Sequence, residues 1–302
     1  MRHLALRAAM ALLAITLAGV ATARADSVEQ FKTVVLPALN PAKLTYGTAI
    51  ATGPNSLTLS DVVVTPPPDA GTGADKPVSI KTVTIDDIDF DGIGRGDAPA
   101  RLHIRLDDVS SAGSSEVPPD LVKILGPGPY KANLELDYTI IDGKELRLKK
   151  LAFDMPGLAA IQIALDVDGI EPSGANIKDA SFDAASLREG SITYEDHSLL
   201  GKVVTAMAKA QKRTEAALVK EWSGAIAVLA GSQGNDETPL VNAALALLRD
   251  YRQPKGPLTI TFAPTRDASG GKPITDAMTD GVAKTLGASA TYAGKPVTAP
   301  PK

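Results

Sequence analysis

The alternation of apolar and polar positions divides the chain into stretches of different period. Val28, Phe31, Val34 and Val35 fall near helical spacing. They predict a helix over residues 26–36, capped by Ser27 and ended by Pro37 and Pro41. From Lys43 to about Val167 the period becomes two. Leu57 and Leu59 alternate with polar residues before Val62, Val63 and Val64. Val78, Ile80, Val83, Ile85, Ile88 and Phe90 follow a Pro- and Gly-rich loop at residues 66–76, and Leu102, Ile104 and Leu106 alternate strictly. After a short helix at residues 120–125, Ala132, Leu134, Leu136, Tyr138 and Ile140 form a further strand, and Asp142-Gly143 marks a hairpin turn. Leu146, Leu148, Leu151 and Phe153, then Ile161, Ile163, Leu165 and Val167, complete the series.

Two runs change parity, between Ile80 and Val83 and between Leu148 and Leu151. Such a change predicts a β-bulge or a sharp bend. Strands with one apolar face, joined by short turns, predict a long, curved antiparallel sheet with one covered face. After Ser191-Ile192-Thr193-Tyr194 the pattern becomes helical, over about residues 198–252. Leu199, Leu200, Val203, Val204 and Met207 form one stripe. Leu218, Trp222, Ala225, Ile226 and Leu229 form a second, and Leu240, Ala244, Leu245 and Leu248 a third. Leu258 to Phe262 reads as a strand. The stretch 265–302 reads as a partly ordered extension with a helix over residues 275–286 and a strand over residues 288–292. The fold class is therefore α+β, mainly β, with C-terminal helices packed against the sheet. No composition shift marks a linker, so residues 26–264 read as a single β-rich domain.

Residues 1–25 have a different character. Arg2, His3 and Arg7 precede the apolar run Ala8 to Val20, and Ala23-Arg24-Ala25 offers small residues at the positions a signal peptidase reads. The run is too short to span a bilayer, and no cysteine follows it. The pattern predicts export to the periplasm with cleavage after Ala25, leaving no stable transmembrane anchor. Loss of Arg2, Arg7 and Arg24 changes the net charge from −4 to −7. An acidic chain argues against nucleic acid as partner and against electrostatic docking on anionic lipid. The absence of cysteine excludes thiol nucleophiles, thiolate zinc sites and disulfides.

Candidate chemistry is sparse. Asp87, Asp89, Asp91 and Gly92 match the first half of a calcium loop, but Ala98 stands where a bidentate Glu belongs. The spacing of two is the strand repeat, with Ile88 and Phe90 inward and the three Asp outward. His103, between Leu102 and Ile104, belongs to the polar face of a strand. His197, in Tyr194-Glu195-Asp196-His197-Ser198, lies where a strand meets a helix, and capping by Asp196 or Ser198 accounts for that cluster. Trp222 lies on an apolar helical stripe and reads as core. No catalytic residue, metal site or cofactor site is predicted, and no constellation of an enzyme is present.

Tyr130 to Tyr138, Leu146 to Phe153, Gly157 to Gly169, the junction Ser191 to Leu200 and the closing Pro257 to Pro264 resemble the repeating β-hairpins and strand-then-helix passage of AsmA-like and YdgA-like bacterial envelope proteins. The resemblance spans roughly residues 130–264. It implies a curled antiparallel sheet with an apolar lining, an architecture associated in larger relatives with lipid handling. Those proteins commonly keep an N-terminal membrane anchor, unlike the cleaved form expected here. The reading that follows is a non-enzymatic periplasmic protein that binds or carries an apolar ligand such as a lipid. The alternative is a structural or interaction module of the cell envelope, with a protein partner and no ligand cavity.

Overall fold

A computed structural model describes residues 26–39, 42–66, 77–111, 119–126, 130–170, 185–233, 238–265 and 282–296. The export signal expected at 1–25, most of the loop at 66–76 and the first part of the helix expected over 275–286 lie outside the described residues. No described helix is long and apolar enough to cross a membrane. The chain is mainly β and antiparallel, with helices, and it divides into two units. The first holds residues up to 117 with 129–153 and 170–182; the second holds 118–128, 154–169 and 183–302. The changeovers at 153–154 and 169–170 fall at or beside strand ends, which is why no compositional linker announces them.

In the first unit, helix α1 starts at Ser27–Gln30, widens into a π turn at Phe31–Val35 and closes at Leu36–Ala38. Asp26 caps it, its carboxylate accepting from the Glu29 amide at 2.9 Å. Ser27, expected as the cap, is instead buried and donates to the Ser56 carbonyl at 2.7 Å. Pro37 does not end the helix. The Leu36 amide reaches back to the Phe31 carbonyl, and this wider turn lets Pro37 stand in the last turn.

The strands are β1 (Lys43–Thr45), β2 (Thr48–Gly53), β3 (Ser56–Thr65), β4 (Val78–Ile88), β5 (Arg101–Ser111), β6 (Ala132–Ile141) and β7 (Glu145–Met155). Their order is β1-β3-β4-β5-β6-β7, with β2 also on β3. Apolar ladders cross them at Leu57–Ile85–Ile104–Leu136 and Leu59–Val83–Leu106–Leu134. Helix α1 and the short helix α2 (Phe90–Arg95) cover this face with Phe31, Val35, Phe90 and Ile93. Cover is complete over β3 and β4. It thins at β6 and β7, where Leu134, Leu136, Ile140, Leu146 and Leu148 are half-buried.

The parity change near Ile80 is a bend shared by three strands. Asp61 and Asp108 take left-handed φ of 53° and 54°, and the register sets both beside Lys81. Leu59 and Val62 on β3 therefore both face inward, as do Ile80 and Val83 on β4. Asp108 is fixed there by Lys131 at 2.7 Å and by Asn133, which accepts its amide at 3.1 Å. The β6–β7 turn forms at Asp142-Gly143, both with positive φ, closed by Lys144 N–H to Ile141 C=O at 3.0 Å.

The second unit holds α3 (Pro119–Leu125), β8 (Ala159–Asp168), β9 (Ser186–Asp196), α4 (Leu199–Ala210), α5 (Glu215–Gln233), α6 (Thr238–Arg249), β10 (Leu258–Phe262), α7 (Val282–Leu286), β11 (Ala288–Tyr292) and β12 (Lys295–Pro296). Its strand order is β8-β9-β10-β11-β12, antiparallel throughout. Helix α6 packs on β10 and β11 through Ala243, Leu247 and Leu248. Glu215, at the start of α5, ties three helices together. It accepts from Thr205 at 2.8 Å, from Tyr251 at 2.7 Å and from Arg252 at 2.6 Å. Hydrogen bonds from Tyr251, Arg252 and Thr205 depress its carboxyl to about 2. A depressed carboxyl stabilises the fold above its unfolded pKa and loses that contribution as pH falls through the folded one. The helices of the second unit are therefore expected to loosen between about pH 5 and pH 2. Helical circular dichroism during acid titration checks this, and Glu215→Gln is expected to flatten that part of the profile.

Candidate functional site

The second unit presents one apolar sheet face. Its ladders are Ile161–Tyr194–Leu258–Tyr292, Ile163–Ile192–Ile260–Ala290 and Leu165–Gly190–Phe262–Ala288. Residues one position away form the other face, mostly polar: Gln162, Thr193, Thr259 and Thr291, then Ala164, Ser191, Thr261 and Ser289. Thr193 and Thr259 bond across it at 3.3 Å. Gly190 belongs to the apolar set for a steric reason. A Cβ there would lie 2.6 Å from Leu165 Cδ2 and 3.4 Å from Phe262 Cδ2, so those two side chains close over the bare backbone.

Cover over these ladders is graded. Ala288, Ala290 and Tyr292 are buried where α6 packs. Leu258, Ile260, Ile192, Tyr194, Ile163 and Leu165 are only half-buried, and Ile161 is 36% exposed. An apolar row left partly in water at the centre of paired strands is a surface that gains from further burial, about 0.8 kcal/mol per methylene laid on it. The first unit shows the same grading over its own β6 and β7.

A polar group closes the Tyr194 end of this face. Asp196 is buried, with Oδ1 accepting from the Leu200 amide and from the Tyr194 hydroxyl, each at 3.0 Å. Its Oδ2 has no partner among the described residues. Burial first, then the neighbouring Asp196 charge, pushes the Tyr194 hydroxyl well up, so it stays protonated as a donor. Asp196, not Ser198, is the side-chain cap of α4; Ser198 donates to the Gly157 carbonyl at 2.6 Å instead. The Leu158 carbonyl accepts three successive amides, from His197, Ser198 and Leu199. Asp196→Ala is expected to cost about 1–3 kcal/mol, because both donors lose their acceptor in a buried place. Asp196→Asn keeps an oxygen for them and is expected to stay closer to the parent. Urea unfolding followed by circular dichroism compares the two, and an alanine variant as stable as the parent would contradict the capping role.

The other residues singled out in the sequence do not converge. The His197 ring is exposed and takes no part in the Tyr194–Asp196 pair. His103 lies on the polar face of β5, its Nε2 3.2 Å from Glu135 and its Nδ1 3.4 Å from Asp86. Lys150 reaches Glu135 at 2.7 Å and Arg105 reaches Asp86 at 3.0 Å. Burial pushes the Glu135 carboxyl up, but hydrogen bonds from Lys150 and His103 outweigh it and leave it below its ordinary value. This is a ladder of alternating charges across strands.

In the calcium-like stretch, Asp87 pairs with Arg101 at 2.8 Å, and Asp91 is exposed. Asp89 caps α2, accepting from Gly92 at 3.0 Å and from Ala100 at 3.1 Å. Ile88 and Phe90 do face inward. However, β4 ends at Ile88 and Phe90 opens a helix, so capping rather than the strand repeat places Asp89. Gly92 is required because a Cβ would meet the capping carboxylate at 2.5 Å. Among the described residues no three His, Asp or Glu side chains are grouped to hold a metal ion. Trp222 is half-buried on α5 rather than core, with Gly224, Ala225, Ala227 and Val228 exposed around it.

A family model described as "Uncharacterized protein" matches residues 152–293. That span contains β8 to β11, α4 to α7, the three apolar ladders and the Tyr194–Asp196 pair. No curated protein matches the chain.

Proposed function

We propose that this is a non-enzymatic periplasmic protein that binds an apolar ligand, such as a lipid, along the half-covered sheet face of its second unit. The observation that carries the reading is the graded burial across the ladders, from Tyr292 at 6% to Ile161 at 36% exposure. Ligand surfaces for apolar molecules are mostly apolar with a few placed polar groups, and Tyr194 with Asp196 supplies such a pair at one end. The half-covered face of β6 and β7 offers a second surface of the same kind. The resemblance to AsmA-like and YdgA-like envelope proteins agrees with this reading, as does the export pattern at residues 1–25.

Native mass spectrometry and solvent extraction of protein purified from the periplasm test it directly. Co-purifying lipid near one per chain is expected, and Ile163→Asp with Ile192→Asp is expected to lower occupancy tenfold or more, since two charges would have to be desolvated under the ligand. A folded, ligand-free parent would sink the proposal. Capture of one stoichiometric envelope protein without lipid would replace it with the interaction module.

A further inference from the structure

The two-residue repeat of β9 continues past the last apolar ladder. Gly190, Ile192 and Tyr194 alternate in unbroken register with β8 and β10, and Asp196 is the next residue of that row. Its carboxylate therefore stands on the apolar face of the second unit. Ala159 of β8 lies beside it, and β10 begins one step earlier, at Leu258.

Asp196 is 4% exposed, and its two oxygens are unequal. Oδ1 accepts both donors, the Leu200 amide and the Tyr194 hydroxyl. Oδ2 is buried with no hydrogen-bond partner among the described residues. The first turn of α4 favours the negative charge, but no cationic side chain among those residues bonds to Oδ2. A buried carboxylate oxygen without a donor is costly, and a donor that reaches it removes that cost. Capping and the Tyr194 contact both use Oδ1, so neither role explains Oδ2.

Building on the apolar-ligand reading, on which this rests, we infer that Asp196 Oδ2 receives a small hydrogen-bond donor, a hydroxyl or an ammonium, at the head of the ligand. The site then takes alkyl alcohols and amines and turns away alkyl carboxylates. A carboxylate head would set two negative charges together where water screens them poorly. Tyr194 cannot serve such a head, because its proton is already given to Oδ1. The burial of Asp196 also favours a small head over a bulky one. From Asp196 to Gly190 the face runs six residues along β9, about 20 Å, which holds the alkyl chain.

Dodecylamine, dodecanol and dodecanoate share one chain and differ only in the head. Each is titrated into the full chain by calorimetry at neutral pH, below its micelle concentration. The amine and the alcohol are expected to bind, and dodecanoate to bind about tenfold or more weakly than either. Asp196→Asn keeps an oxygen for Leu200 and Tyr194 but puts an N–H where Oδ2 was. It is expected to weaken the amine about tenfold or more and to tighten dodecanoate by a similar factor. The alcohol changes little, because a hydroxyl both donates and accepts. Loss of one charge from the whole chain would not reverse the order of the heads. Circular dichroism checks that the variant is folded; if it is not, the ranking on the parent decides alone. Equal binding of all three heads to the parent overturns the head-group assignment and leaves the apolar face standing. Binding of none of them removes the apolar-ligand reading and this assignment with it.

Discussion

Replacing Phe31 by alanine is expected to destabilise the first unit by about 3–5 kcal/mol. Phe31 is 1% exposed, the largest side chain that α1 contributes to the core, and it meets the Tyr46 ring edge to face at 6.3 Å. It sits in the π turn, so its backbone carbonyl also anchors Leu36. Truncation leaves a cavity in the cluster that Phe31 forms with Val35, Leu57 and Leu59. Phe31→Leu retains much of the volume and is expected to cost less than about 1.5 kcal/mol. Urea unfolding of both variants measures the difference. If alanine and leucine behave alike and match the parent, α1 contributes nothing to the cooperative core and the packing described for it is wrong.

Much of the sheet was legible because a strand with one covered face writes its geometry directly as period two. The ladders at Leu57–Ile85–Ile104 and Ile163–Ile192–Ile260 are the alternating residues read from the chain, the Asp142-Gly143 turn forms where its backbone preference required, and the strand at Ala288–Tyr292 has the bounds expected. The parity change at Ile80 was visible, but its cause was not. It depends on Asp61 and Asp108, far apart in sequence, flanking one lysine in register.

Helix faces were read less well, because stripes drawn through large residues miss the small ones that allow close approach. Ala208 and Ala243 are among the most buried positions of α4 and α6, and neither was in the expected stripes. Trp222 was read as core, whereas on α5 it is only half-buried. The Tyr194–Asp196 pair was present as a polar cluster, yet choosing Asp196 over Ser198 as the cap depends on the Leu158 and Gly157 carbonyls on another strand's turn. The graded cover that makes the sheet face a candidate site was not legible at all. It is set by how far α1 and α6 reach across their strands, a distance no local pattern encodes.

Gly287→Val is expected to cost the second unit about 3–5 kcal/mol, by a mechanism unlike that of Phe31→Ala. Gly287 joins α7 to β11 with φ of +58°, where a β-branched side chain is strained by about 1–2 kcal/mol from the backbone alone. The larger part is steric. A Cβ there would lie 2.2 Å from the Ala263 carbonyl oxygen and 2.8 Å from its carbon. Ala263 cannot yield freely, because its amide donates to the Leu286 carbonyl at 3.1 Å and the adjacent Phe262 pairs with Ala288. Relief of the clash must therefore separate β10 from β11 at their shared end, where Phe262 and Ala288 close the third apolar ladder. Gly294→Ala is the control. Its φ is +74°, but nothing lies within 4 Å of the added Cβ, so only the backbone cost of about 1–2 kcal/mol is expected. Thermal unfolding separates the two contributions: a Gly287 variant no worse than the Gly294 variant would mean that Ala263 moves aside, and that the β10–β11 end of the apolar face is not rigid.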